Sequence, residues 1–234
     1  MKLITLLLLF CSFSVAAESF QSSDKRTSLL ELYSSQGCSS CPPAERWISK
    51  LLHHKKLWID FVPLVYHVDY WNQLGWRDPF SKPEYSQRQR SYHQQSSINS
   101  VYTPGFILNG EEWRSWFLRN QIPNESQVSQ VLSAQLNKNK LLVRYKTDKP
   151  LILNIAILGF DIKTDISAGE NNGRSFTENF IVLDHQSSLS ISGQWQEKLN
   201  KPEHIQATRY ALALWVNKPD DLTPLQVVGG WIDL

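Results

Sequence analysis

The segment SLLELYSSQGCSSCPPAERWISKLL, residues 28–52, reads as strand, turn, cysteine pair and helix in succession. Ser28 to Ser34 is an apolar run of strand length, and Gln36–Gly37 turns the chain. Beyond the cysteines, Ala44, Trp47, Ile48, Leu51 and Leu52 recur at i, i+3, i+4, i+7 and i+8, the stripe of a helix with one face on a core. Pro42 and Pro43 are tolerated only in a first helical turn, which draws the helix start towards Cys41. Leu57 to Val68 (LWIDFVPLVYHV) is a second β-rich run. Strand, helix and strand predict a βαβ unit with parallel strands and a right-handed crossover.

Working outward, Asp69 to Pro83 (DYWNQLGWRDPFSKP) is an aromatic, turn-rich insertion. Glu84 to Gln95 suits a helix, with Arg88 and Arg90 on its wet face. Val101 to Asn109 (VYTPGFILN) reads as a third strand, Asn109–Gly110 as a hairpin turn, and Glu111 to Leu118 as the returning strand. Asn124 or Ser126 can cap a further helix carrying Val128, Val131, Leu132 and Leu136. This order, βαβ then αββα, is α/β in class. Composition shifts near Asn137–Lys138–Asn139–Lys140. The apolar or alternating segments that follow (141–145, 151–160, 176–183, 210–216 and 225–232) are separated by polar turns and predict a β-rich, sandwich-like half.

At the other end, Lys2, the apolar run Leu3 to Phe10, and Val15 and Ala17 have the pattern of a secretory signal peptide cleaved after Ala17. Cleavage removes Cys11 and leaves Cys38 and Cys41 alone, in a periplasmic or secreted setting where disulfides persist. Residues 18–27 form a polar lead-in. No later segment is long and apolar enough to enter a membrane, so no stable insertion is expected after signal cleavage. A formal charge of +2, with acids and bases mixed along the chain, excludes a nucleic-acid groove.

Disulfide exchange needs a thiolate and a second sulfur within closing distance. Two intervening residues supply that closure, and a helix N-terminus favours the thiolate. A bridge that only stiffens the loop is the competing explanation, although so short a loop restrains the unfolded chain by only about 2 kcal/mol. Cys38 and Cys41 with His67 and His93 would make a Cys₂His₂ metal set if the fold brought them together. Thr103–Pro104 is either the start of an edge strand or a cis bond offering the Thr103 backbone to an extended substrate. His67, Asp69, Tyr70, Trp71, Trp76 and Asp78 follow the second strand, at the end where such sheets place ligands. They form either a cleft wall, with Asp69 assisting proton transfer, or a satellite core. Glu170 and Arg174 suggest a surface or interdomain ion pair and no chemistry.

The string GCSSC after a strand, with YTPGFILNG further on, resembles the thioredoxin superfamily. ELYSSQGCSSCPPAE, VDYWNQLGWRDPF, SQRQRSY, VYTPGFILNG, GENNGRSFTENFIVL and GQW together resemble more closely a secreted bacterial family, a domain of unknown function described as thioredoxin-like. The resemblance implies Cys38 as an exposed attacking thiolate and Cys41 as a more buried resolving thiol, with Thr103 and Pro104 holding substrate backbone. Gln36–Gly37 stands where thioredoxins carry Trp before the first cysteine, so the surface around Cys38 differs.

The expected molecule is α/β: a signal peptide over 1–17, a lead-in over 18–27, a thioredoxin-like domain over 28–137 and a β-rich domain over 138–234. Its expected activity is thiol–disulfide exchange with a protein or small-molecule thiol or disulfide. Cys38 and Cys41 react, while Thr103, Pro104, Asp69, Trp71 and Trp76 contact substrate. No cofactor or resident metal is called for. The alternatives are a binding protein with an inert bridge, working through the aromatic insertion and the β-rich half, and a metal chaperone.

Overall fold

The computed structural model describes residues 17–118, 121–202 and 207–234. Residues 1–16 of the expected signal peptide lie outside them. β1 (Glu18–Gln21) precedes β2 (Ser28–Ser34), and the cysteines lead into α1 (Pro42–Ser49). β3 (Phe61–His67) pairs in parallel with β2, from Ser28 against Phe61 to Ser34 against His67, so the expected βαβ unit forms. After α2 (Pro83–Gln94), β4 (Gly105–Leu108) and β5 (Glu111–Glu112) make a hairpin whose turn residues Asn109 and Gly110 both have positive φ. The remainder is β: β6 (Leu132–Asn137), β7 (Lys140–Tyr145), β8 (Leu151–Phe160), β9 (Ile162–Asp165), β10 (Ser175–Glu178), β11 (Ile181–Ser190), β12 (Gln194–Lys198), β13 (Arg209–Asn217) and β14 (Gln226–Ile232).

This corrects the expected fold class. With fourteen strands and two α-helices among the described residues, the chain is mostly β-sheet and not an α/β, thioredoxin-like domain followed by a sandwich. The reason lies at the open edge of β3. There Val65 donates its N–H to the Phe180 carbonyl at 2.8 Å, and β11 joins in parallel at Ile181 against Val65. β11 brings β8, β13 and β14 with it. The result is one mixed eight-stranded sheet, β14-β13-β8-β11-β3-β2-β4-β5, drawn from both sides of residue 137. A four-stranded sheet, β1-β6-β7-β12, covers part of it, and β9 with β10 stands apart as a hairpin.

Several local expectations fail for identifiable reasons. The helix expected after Asn124 is strand β6 instead. Leu132 and Leu136 suit either period, but Leu132, Ala134 and Leu136 are buried at alternate positions while Val128 and Val131 stay exposed. β1, within the expected lead-in, supplies the partner strand, Glu18 to Gln21 against Leu136 to Ser133. Its Phe20 ring packs where a side chain at Gly230 of β14 would stand, 2.8 Å from that missing Cβ. The strand expected over 111–118 ends at Glu112. Arg114–Phe117 then winds into a 3₁₀ turn that sets Trp116 against Phe106, with ring centroids 5.0 Å apart. Arg88, expected on the wet face of α2, turns inward to Glu31.

A polar line crosses the main sheet beneath α2. His185 Nε2 faces Asn154 Oδ1 at 3.2 Å, its Nδ1 faces the Tyr66 hydroxyl at 3.3 Å, and Asn154 donates to Asn217 at 2.5 Å. These partners suit the neutral imidazole, with Nε2–H donating and Nδ1 accepting. Burial, aided by the positive charges of Arg88 and Lys82, pushes His185 down to about 3. Because this folded value lies below the unfolded one of about 6.5, His185 adds stability above pH 6.5 that is lost as pH falls towards 3. Glu178 acts in the opposite sense. Burial pushes it up to about 8, so its contribution is complete below its ordinary range and lost as pH rises. The difference in unfolding free energy between wild type and His185→Gln isolates the histidine. It should shrink by up to about 1.4 kcal/mol per pH unit between pH 6 and pH 4, measured by urea unfolding. A constant difference across that range would show that His185 titrates normally in the folded chain.

Candidate functional site

The cysteines occupy the turn between the C-terminal end of β2 and α1. Cys38 and Cys41 form a disulfide with Cα atoms 5.4 Å apart. Cys41 is the N-cap of α1, and the two prolines take up the first turn, where the missing N–H groups have no helical partner to lose. Gly37 packs closely there, since a Cβ on it would lie 3.1 Å from Cβ of Trp71. Cys38 is not the more exposed member of the pair: it is 0 % exposed and Cys41 is 1 % exposed.

What covers them is the tip of the β9–β10 hairpin, read from sequence as a surface turn. Buried Asn171 donates from Nδ2 to the carbonyls of Gln36 at 2.8 Å and Cys38 at 3.0 Å. Arg174 Nη1 donates to Asn171 Oδ1 at 2.8 Å, and Ser39 N–H donates to Glu170 Oε2 at 3.0 Å. Glu170 thus does contact the first half of the chain, but through a backbone amide and not an ion pair.

Between α1 and β10 lies a cleft of about 710 Å³, bordered by Cys41, Pro42, Glu45, Arg46, Arg174 and Phe176 among others. Its inner end is a buried polar cluster. His67, the last residue of β3, places Nδ1 2.7 Å from Asp78 Oδ2. Asp78 also accepts the N–H groups of Gln36 at 2.7 Å and Phe80 at 2.9 Å. On its other side His67 Nε2 lies 3.4 Å from Glu45 Oε1 and 3.8 Å from Glu178 Oε1, with a hydrogen bond to neither. Gln36 Nε2 donates to Glu178 Oε2 at 2.7 Å, and Trp76 Nε1 donates to Gln36 Oε1 at 3.0 Å.

Burial alone would push His67 down, but the adjoining Asp78 carboxylate outweighs it and holds the imidazole well above its ordinary value. Burial likewise works to raise Asp78, yet the histidine and the two backbone donors keep it low. For Glu178 burial prevails, with Glu45 and Asp78 reinforcing it against His67.

The remaining predicted residues divide. The Thr103–Pro104 bond is cis, and Trp71 donates from Nε1 to Thr103 Oγ1 at 2.8 Å. Trp71 therefore touches both the cysteine turn and the proline loop. Trp76 reaches the site through Gln36. Asp69 does not line the cleft; its N–H and its Oδ1 are both engaged by Ser86 Oγ on α2. His93 faces the Ile98 carbonyl, and the Cys₂His₂ set does not assemble: among the described residues the one group of three or more such side chains with ligand atoms all within 4.8 Å of one another is Glu45, His67 and Glu178. Sequence reasoning missed Gln36, Glu45, Asn171 and Glu178. Only Glu45 carried a local signal, standing four residues after Cys41 on the same helical face.

Two solved structures are similar over most of this length. Protein AGR_C_4864 from Agrobacterium tumefaciens aligns with a TM-score of 0.60 at 22% identity, covering 90% of this chain and 96% of its own. HBP35 of Porphyromonas gingivalis aligns with a TM-score of 0.60 at 14% identity, covering 91% of this chain and 77% of its own. At these identities the likeness speaks to fold alone. No curated protein sequence matches the chain. Residues 29–217 match a family model described as "Protein of unknown function (DUF1223)", so this chain belongs to the DUF1223 family.

Proposed function

We propose that this protein is a thiol–disulfide oxidoreductase of the periplasm or the extracellular space, acting through Cys38 and Cys41. The observation that carries the reading is the position of Cys41, at the N-cap of α1 and on the wall of the cleft between α1 and β10. The helix N-terminus favours a thiolate there, and the cleft gives a thiol or disulfide substrate a seat beside the pair, which lifting of the β9–β10 hairpin tip uncovers. In the reducing direction one thiolate of the pair attacks a substrate sulfur and displaces the other as a thiol. The second cysteine then attacks the mixed disulfide. The pair ends as a disulfide, and two electrons and two protons pass to the substrate. The oxidising direction runs the same steps backwards.

A second reading, a binding protein with an inert bridge, is favoured by the burial of both cysteines beneath Asn171. The reduction potential separates the two. Equilibration with glutathione buffers and thiol trapping should give a value between about −120 and −270 mV for an exchange protein. A value below about −300 mV, with no mixed disulfide trapped, would identify a structural bridge.

A further inference from the structure

We propose that Glu45, His67 and Glu178 form a binding site for one divalent transition-metal ion of the zinc class, at the inner end of the cleft and independent of the cysteine sulfurs. Three observations converge on it. The first is the donor geometry. Ligands held about 2.0–2.1 Å from a tetrahedral ion stand about 3.4 Å from one another. Nε2 of His67 is already 3.4 Å from Glu45 Oε1 and 3.8 Å from Glu178 Oε1, and the whole set falls within 4.8 Å.

The second is an orphaned ligand atom. His67 is 0 % exposed, and its Nε2 points at the two carboxylates without a hydrogen bond. Glu45 Oε2 is likewise buried without a partner. Leaving buried polar atoms unsatisfied is costly, whereas a cation between them, taking the place of any proton on Nε2, would satisfy all three side chains. Arg46 and Arg174 also line the cleft, yet among the described residues neither pairs with these carboxylates.

The third is the outer shell. Metal-binding histidines usually donate the other ring N–H to a carboxylate, which fixes the tautomer and aims the free nitrogen. Asp78 does this at His67 Nδ1 and is itself held by two backbone N–H groups. Gln36 does the same for Glu178, occupying Oε2 and leaving Oε1 to face the imidazole. One imidazole and two carboxylates suit zinc-class ions, and the cleft leaves the fourth position to water or a small ligand.

The test is a zinc titration of the full oxidised chain in competition with a chromophoric chelator, with near-ultraviolet circular dichroism as a folding control. One zinc per chain should bind, and Glu45→Gln and Glu178→Gln should each weaken binding tenfold or more. Asp78→Asn should weaken it roughly 10–100-fold through the histidine's orientation. Replacing both cysteines by serine should leave the affinity unchanged, whatever the potential of the disulfide proves to be. Glu45 lies at the cleft edge, so its variant reads the site even if Glu178→Gln or Asp78→Asn fails to fold. Absence of binding, equal affinity in a folded Glu45→Gln, or loss of binding in the serine variant would each overturn the proposal.

Discussion

Arg88→Leu is expected to cost the fold about 3–5 kcal/mol, a large part of the roughly 5–15 kcal/mol that holds a domain together. The guanidinium donates from Nε to Glu31 Oε1 at 2.8 Å and from Nη2 to the Tyr92 hydroxyl at 3.1 Å. The Tyr92 hydroxyl in turn donates to Glu31 Oε2. The same guanidinium lies over the rings of Tyr66, Tyr92 and Trp215, at 5.7, 5.3 and 5.3 Å from their centroids. Glu31 is 1 % exposed, in the middle of β2 at the heart of the eight-stranded sheet. Removing the cation strands that carboxylate without a counter-charge, and the stranded charge costs far more than the lost pair is worth. Urea unfolding of the single variants and of Glu31→Leu with Arg88→Leu separates these effects. The double variant should recover much of the loss, because two apolar side chains of similar bulk leave no buried charge. A single-variant cost below about 1 kcal/mol would mean that water reaches Glu31 and that the network behaves as a surface pair.

Arg88 also marks where sequence reasoning stops. The elements with an unambiguous period were legible: β2, the stripe of α1, β3, and the long runs that became β8, β13 and β14. Charge misled at α2, because a buried arginine and a solvated one look alike until Glu31 is known to stand opposite. Spacing misled at Leu132 and Leu136, four apart and compatible with either period. The larger error, an α/β domain beside a separate β-rich one, came from a contact with no local signature. Nothing in Val65 or Ile181 announces that their strands meet, and that meeting draws both halves into one sheet. The site was legible in part for the same reason. Cys38, Cys41 and His67 belong to the contiguous βαβ unit and Asp78 to the insertion directly after it, and all four stand out in the sequence. Asn171 reaches the cysteine turn, and Glu178 reaches Gln36 and His67, only through the β9–β10 hairpin, and GENNGR taken alone reads as an ordinary polar turn.

That hairpin sets the second large effect. Asn171→Ala should speed reduction of the Cys38–Cys41 disulfide by dithiothreitol by on the order of tenfold to a hundredfold. The wild-type side chain donates to the carbonyls of Gln36 and Cys38 and accepts from Arg174, fastening the hairpin tip across the cysteine turn. With both cysteines buried, a reductant must wait for that tip to lift. When opening and closing are fast relative to the chemistry, the rate follows the open population. Each hydrogen bond contributes about 1 kcal/mol net, so losing two favours the open form by about 2 kcal/mol, and 1.4 kcal/mol is a factor of ten. Glu170→Gln is the graded control. It keeps an oxygen to accept the Ser39 N–H and loses only the charge, so its effect should be several-fold at most. Thermal unfolding of Asn171→Ala, followed in parallel, must stay near wild type for the acceleration to report the hairpin and not global opening. An unchanged rate would mean that reductant enters along the cleft and meets Cys41 first. The nucleophile that exchanges with substrate would then be Cys41, with Cys38 held beneath Asn171 as the resolving partner.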